Sequence, residues 1–141
     1  MNKQEILGKL DAFTEKYVGN KKSVVIGASA ALVLHGLRED TNHIDIAVSL
    51  GVMLNVGKDP HTIRNLGNGK DCMDLSSGIS IHLYQGMSLD NYSTMPIHHN
   101  VLIHGYSVYS KPKLLRQYED LWMRYNDEKY LKWIDVLEQN Q

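Results

Sequence analysis

The spacing of apolar residues changes twice along this chain, and that change limits its fold more than any other feature. At both ends they recur at helical spacing, and between the ends they alternate or run in short β-branched blocks. Charge follows the same division. Residues 1–40 carry six basic and five acidic side chains, and residues 111–141 carry six of each. Residues 41–110 carry three basic and five acidic side chains, yet hold six of the seven histidines. Solvated helices at the ends and a sheet in the charge-poor middle follow. The expected class is α/β or α+β, a mixed β-sheet flanked by helices. The 141 residues are room for one domain. No repeat or linker divides them, so 1–141 reads as one unit, with a core over 1–110 and a helical pair over 111–141 packed on it.

Composition excludes several classes. With 15 basic against 16 acidic residues, a strongly electrostatic grip on nucleic acid or anionic lipid is not indicated. The single cysteine, Cys72, rules out a disulfide scaffold and a four-cysteine zinc site. No apolar run approaches the roughly 20 residues of a membrane span, and the start Met1-Asn2-Lys3-Gln4-Glu5 lacks a signal peptide's apolar stretch. A soluble, cytoplasmic protein without a membrane partner is the expectation.

Element by element, Asn2 is a good N-cap with Glu5 in capping-box spacing. Ile6, Leu7, Leu10, Phe13 and Tyr17 then share a helical face that Gly19-Asn20 ends. Ser23 to Ile26 reads as a buried strand running into the small residues Gly27-Ala28-Ser29, and a short helix follows to His35-Gly36. Asn42 to Ser49 alternates, with Ile44, Ile46 and Val48 on one face and His43, Asp45, Ala47 and Ser49 on the other. Residues 50–70 are ambiguous, with turns at Asp59-Pro60 and Gly67-Asn68-Gly69. Cys72 to Leu75 with Ile79 to Tyr84 reads as a hairpin, as does Val101 to Ile103 with Tyr106 to Tyr109. Two helices finish the chain, the first carrying a Leu115, Tyr118, Leu121, Trp122, Tyr125 stripe and the second a Tyr130, Trp133, Ile134, Leu137 stripe.

The chemistry concentrates between Val24 and Ser49. A strand ends in Gly27-Ala28-Ser29, a helix ends in His35-Gly36, Arg38 and Thr41 follow, and a strand then carries His43-Ile44-Asp45-Ile46. This order resembles the nucleotidyltransferase superfamily with the polymerase-β-type palm, above all its small stand-alone members related to antitoxins and abortive-infection proteins. The ending, from Ser107-Val108-Tyr109-Ser110 through Arg124-Tyr125-Asn126-Asp127 to Leu137, is similar as well. The resemblance implies that backbone N–H groups at Gly27, Ala28 and Ser29, with Arg38 and Thr41, contact nucleotide phosphates. It also implies two strand carboxylates at i and i+2, and a third on a neighbouring strand, holding Mg²⁺ or Mn²⁺.

The chain departs from that pattern at two of the three acids. His43 stands where the first aspartate is expected, and His82 on Ile81-His82-Leu83 where the third is expected, leaving Asp45 alone. Three outcomes stay open. The fold persists without its metal site; His43, Asp45 and His82 form a two-histidine, one-carboxylate site for Zn²⁺, Mn²⁺ or Fe²⁺; or Asp45 supports transfer with one metal or with Asp74. The corresponding functions are a binding module for a nucleoside triphosphate or a protein partner such as a toxin or defence factor, a metal-dependent hydrolase, and a transferase moving a nucleoside monophosphate to a hydroxyl. The remaining features have plainer readings. His98-His99 with His104 are surface or cross-strand residues, and the aromatics of the last two helices are a packing seam rather than a base-stacking platform. Gly67-Asn68-Gly69-Lys70 is a turn, and Cys72 an inert strand residue. Arg38 contacts phosphate or pairs locally.

Overall fold

Asn2 opens the first helix, α1 (Lys3–Tyr17), through the capping box: its side chain accepts from the Glu5 N–H while Glu5 accepts from the Asn2 N–H. The structure is a computed structural model that describes residues 1–65, 71–83 and 100–141. A 3₁₀ turn over Lys21–Ser23 takes the first residues of the expected strand, so β1 is Val25–Ile26. Helix α2 (Ala28–Leu34) ends at Gly36, whose φ of 77° lets Leu37 N–H reach the Leu32 carbonyl at 2.9 Å and its own N–H reach Val33 at 3.0 Å. That is the paired closure a left-handed glycine provides at a helix end.

Strand β2 (Ile44–Ala47) is shorter than the expected Asn42–Ser49 run, and all four of its residues are buried. The alternation sets its two faces apart chemically but not by exposure, because α2 packs against the strand and the His43 and His82 side chains engage Asp45. The ambiguous stretch resolves into α3 (Leu50–Val56), capped by Ser49, and β3 (Thr62–Asn65). The first expected hairpin is β4 (Asp71–Asp74) with β5 (Ile79–His82), and the second is β6 (Asn100–Ile103) with β7 (Tyr106–Tyr109). His104 and Gly105, at φ 51° and 86°, supply the two positive-φ positions that a two-residue hairpin turn of right-twisted strands favours. Ser110 caps α4 (Lys111–Tyr125), Asn126 breaks the chain at φ 51°, and α5 (Lys129–Gln139) follows.

The strands form one mixed sheet in the order β3-β4-β5-β2-β1-β7-β6. β2 lies antiparallel to β1 and parallel to β5, with Asp45 opposite Ser80 and Ile46 opposite Ile81. β5 runs antiparallel to β4, which places Asp74 opposite Ser80 and Cys72 opposite His82. Because side chains alternate, this register gathers the polar residues of four strands on one face: Asp45, Ser80, His82, Cys72, Asp74 and Arg64. The opposite face contributes Ile44, Ile46, Ile79, Ile81 and Met73 to one buried cluster with Ile6, Leu10 and Phe13 of α1. α4 packs on α5 and on α2. Its buried face centres on Leu114 and Tyr118 rather than on the whole expected stripe, and Tyr125 at the far end of that stripe is exposed. Among the described residues no helix is long and apolar enough to cross a membrane.

Candidate nucleotide cleft

The polar sheet face forms the floor of a cleft of about 750 Å³. Ala28, Ser29, Arg38, Thr41, His43, Asp45 and His82 all line it, so the sequence-predicted residues meet in one place except Gly27, which lies in the backbone turn beneath. The parallel pairing of β2 and β5 brings Asp45 and His82 onto adjacent strands, as the resemblance requires of metal-binding positions.

Asp45 is 6% exposed, and both of its oxygens are engaged. His82 Nε2 lies 2.8 Å from Oδ1 and His43 Nε2 lies 3.2 Å from Oδ2. Burial pushes the Asp45 carboxyl up, and hydrogen bonds from His43 and His82 more than reverse it, leaving it well below the usual carboxylate range. The bond to Asp45 holds His43 above its ordinary value, against partial burial and the nearby Arg64 and Arg38. On its other side the His82 ring places Nδ1 3.5 Å from Cys72 Sγ. Burial pushes the Cys72 thiol up to about 11, so the S–H is retained. A Cys–His–Asp relay is thus present in outline. Its sulfur is wholly buried and outside the cleft lining, which denies it the role of nucleophile.

The donor set does not fit Mg²⁺, which takes oxygen ligands in a near-octahedral shell, because here one carboxylate faces two imidazoles. A Zn²⁺ site would need both Nε2 atoms and the carboxylate aimed at one point about 2 Å away, whereas each nitrogen is aimed at a separate Asp45 oxygen. Among the described residues no group of three His, Cys, Asp or Glu side chains is placed to hold a metal ion. Asp74, the other acid of this sheet face, is partnered away from the cleft. It receives Arg64 Nε at 2.8 Å and Ser80 Oγ at 2.7 Å, and it lies outside the cleft lining.

At the Gly27–Ser29 turn Ala28 adopts φ 51°, a left-handed geometry costing an alanine about 1 kcal/mol. Its N–H donates to Gln117 Oε1 on α4 at 2.8 Å. Ser29 Oγ lies 2.7 Å from Thr41 Oγ1, so both hydroxyls are partnered within the protein. Arg38 takes the local pairing: its Nε donates to the Asp40 carbonyl at 2.6 Å and its guanidinium lies 4.9 Å from the Trp133 ring centroid.

The far wall comes from α4 and α5. Gln117, Tyr118, Leu121, Arg124 and Tyr125 descend one face of α4, and Lys129, Tyr130 and Trp133 come from α5. Tyr118 and Tyr125 flank Tyr130 at centroid distances of 6.1 and 6.5 Å. The aromatics therefore serve both as a helix seam and as cleft wall, except Trp122, which is not part of the lining. Arg64, Gln117 and Lys129 were not singled out from the sequence. Arg64 alternates onto the cleft face once 62–65 is a strand, and Gln117 shares the 117, 121, 124 helical spacing. The turn expected at Gly67-Asn68-Gly69-Lys70, Tyr84 and His98-His99 lie outside the described residues, and His104 is exposed in its hairpin turn. Comparison with models of known families, with curated proteins and with solved structures finds no match to this chain.

Proposed function

We propose that this chain is a diverged nucleotidyltransferase-fold protein that binds a nucleotide in the cleft and has lost or weakened the transfer reaction. The observation that carries the reading is the Asp45 carboxylate, the one acid left of three, held by His43 and His82 at the base of a cleft with aromatic and cationic walls. Its position on β2, next to β5 and beside the Gly27–Ser29 turn, supports the fold assignment. Tyr125 and Tyr130 give the wall aromatic surface for a base, while Arg38, Arg64, Arg124 and Lys129 set a positive potential that draws phosphate. Transfer through a resident metal has no support from a carboxylate whose two oxygens are already taken by imidazoles.

The test is calorimetric titration with ATP, GTP, CTP and UTP, paired with an assay for transfer of α-phosphate label to the protein and to RNA. Saturable binding that Tyr130→Ala weakens at least tenfold, without label transfer, supports the reading. Label transfer that Asp45→Ala abolishes restores an active transferase. No binding of any nucleotide turns the search to a protein partner.

A further inference from the structure

The resemblance assigns the polyphosphate two anchors, a divalent cation at positions 43, 45 and 82 and the N–H groups of the Gly27–Ser29 turn. The first is closed by the protein's own groups, and the second in part, the Gly27 N–H donating to the Asp45 carbonyl at 3.2 Å. His43 and His82 occupy the two Asp45 oxygens at 3.2 and 2.8 Å, and Gln117 occupies the Ala28 N–H at 2.8 Å. The Ser29 hydroxyl is spent on Thr41. Helix α2 is seven residues long, so it adds little dipole to the turn.

What remains for an anion is the rim. The lining contains Arg38, Arg64, Arg124 and Lys129 against the carboxylates of Asp45 and Asp127. Arg64 is committed to Asp74, and Lys129 sits 3.7 Å from Asp127, a loose exposed pair. Arg124 and Lys129 are exposed on either side of the Asn126 break, where two helices turn their ends toward the cleft mouth.

Resting on the nucleotide-binding reading above, we infer that the cleft takes its nucleotide free of any divalent cation, with the phosphates on the Arg124–Lys129 rim and with the histidine clamp standing where the cation would be. A nucleoside triphosphate without Mg²⁺ carries roughly two more negative charges than its Mg²⁺ complex, and a cationic rim favours the more highly charged form. Removing the metal therefore strengthens binding or leaves it unchanged.

Equilibrium dialysis of the full chain against labelled ATP, in EDTA and in excess Mg²⁺, tests this. The expected result is retention in EDTA with a Kd equal to, or up to tenfold tighter than, that in Mg²⁺. The Arg124→Ala, Lys129→Ala double variant, whose fold is checked by circular dichroism, should lose at least tenfold in EDTA. Tenfold tighter binding in Mg²⁺ overturns the inference and leaves nucleotide binding intact. Retention in EDTA that the double variant does not alter overturns the placement of the phosphates. No retention in either arm overturns both.

Discussion

Asp45 and Lys113 are both charged groups taken out of water, and the fold treats them in opposite ways. Asp45 is given two imidazole donors, one on each oxygen, and its carboxyl stays ionised despite burial. Lys113, 2% exposed, is given the Asn100 amide oxygen at 2.8 Å and the face of Tyr109 at 4.1 Å, with no carboxylate partner among the described residues, and burial pushes it down to about 8. The first region preserves a charge and the second tolerates one. A charge kept by dedicated partners beneath a cleft belongs to a site, whereas one strained inside a helix–sheet contact belongs to packing.

The largest expected effect breaks the preserved charge. Asp45→Ala leaves His43 and His82 facing an apolar gap, and removing one partner of a buried pair costs about 2–4 kcal/mol. Urea unfolding measures it; a cost under about 0.5 kcal/mol would mean the clamp contributes nothing to the fold.

Lys113→Met should act in the opposite direction. The folded value near 8 lies below the ordinary 10.5, so the charged amine opposes folding at pH 7. Between those two values the unfolded chain holds more protons, so stability rises with pH across that window. The variant should be about 1–2 kcal/mol more stable at pH 7 and should lose that alkaline gain, as read from melting temperatures at pH 7 and 10. A variant that is less stable, with the alkaline gain unchanged, would show that the amine is well solvated.

Smaller again is the pH dependence of the clamp. His43 has a raised folded value, so its contribution is complete below its ordinary value of about 6.5 and fades as pH rises through the folded one. Asp45 has a lowered folded value, so its contribution is present above about 4 and fades as pH falls through the folded one. The clamp is strongest between those limits. Because His43 is half exposed, its share is a few tenths of a kcal/mol at most, and His43→Ala should flatten the curve just above pH 6.5. The smallest effect is kinetic: buried Cys72, with its raised pKa, should react with a thiol reagent only as fast as the chain opens. Immediate stoichiometric labelling of the native protein would contradict its placement.

Much of this was legible in the sequence for identifiable reasons. The cap at Asn2, the stop at Gly36 and the His104-Gly105 turn are local chemistry, and local chemistry reads directly from neighbouring residues. Convergence of His43, Asp45 and His82 required knowing that the strands of Asp45 and His82 are neighbours; the resemblance implied that neighbourhood, and the parallel pairing of β2 and β5 came only with the fold. Residues 50–65 hid α3 and β3 because Leu50, Leu54 and Ile63 are exposed, so hydrophobicity did not mark the buried side. Full burial of β2 was invisible for the converse reason: its one charged residue, Asp45, is engaged by His82, which lies 37 residues later in the chain, as well as by His43. Arg64 and Lys129 were hidden among ordinary surface charges, and only the fold sets them around one cleft with Arg38 and Arg124.

Whether histidines stand in a cation's place is measured most directly with Mn²⁺, whose binding is counted by electron paramagnetic resonance in the wild type and in the His43→Asp, His82→Asp double variant. The wild type should leave Mn²⁺ free at millimolar concentration, while the double variant, with carboxylates restored beside Asp45, should bind at least one equivalent. Stoichiometric Mn²⁺ on the wild type, lost in Asp45→Asn, would contradict the clamp and return the cleft to metal chemistry.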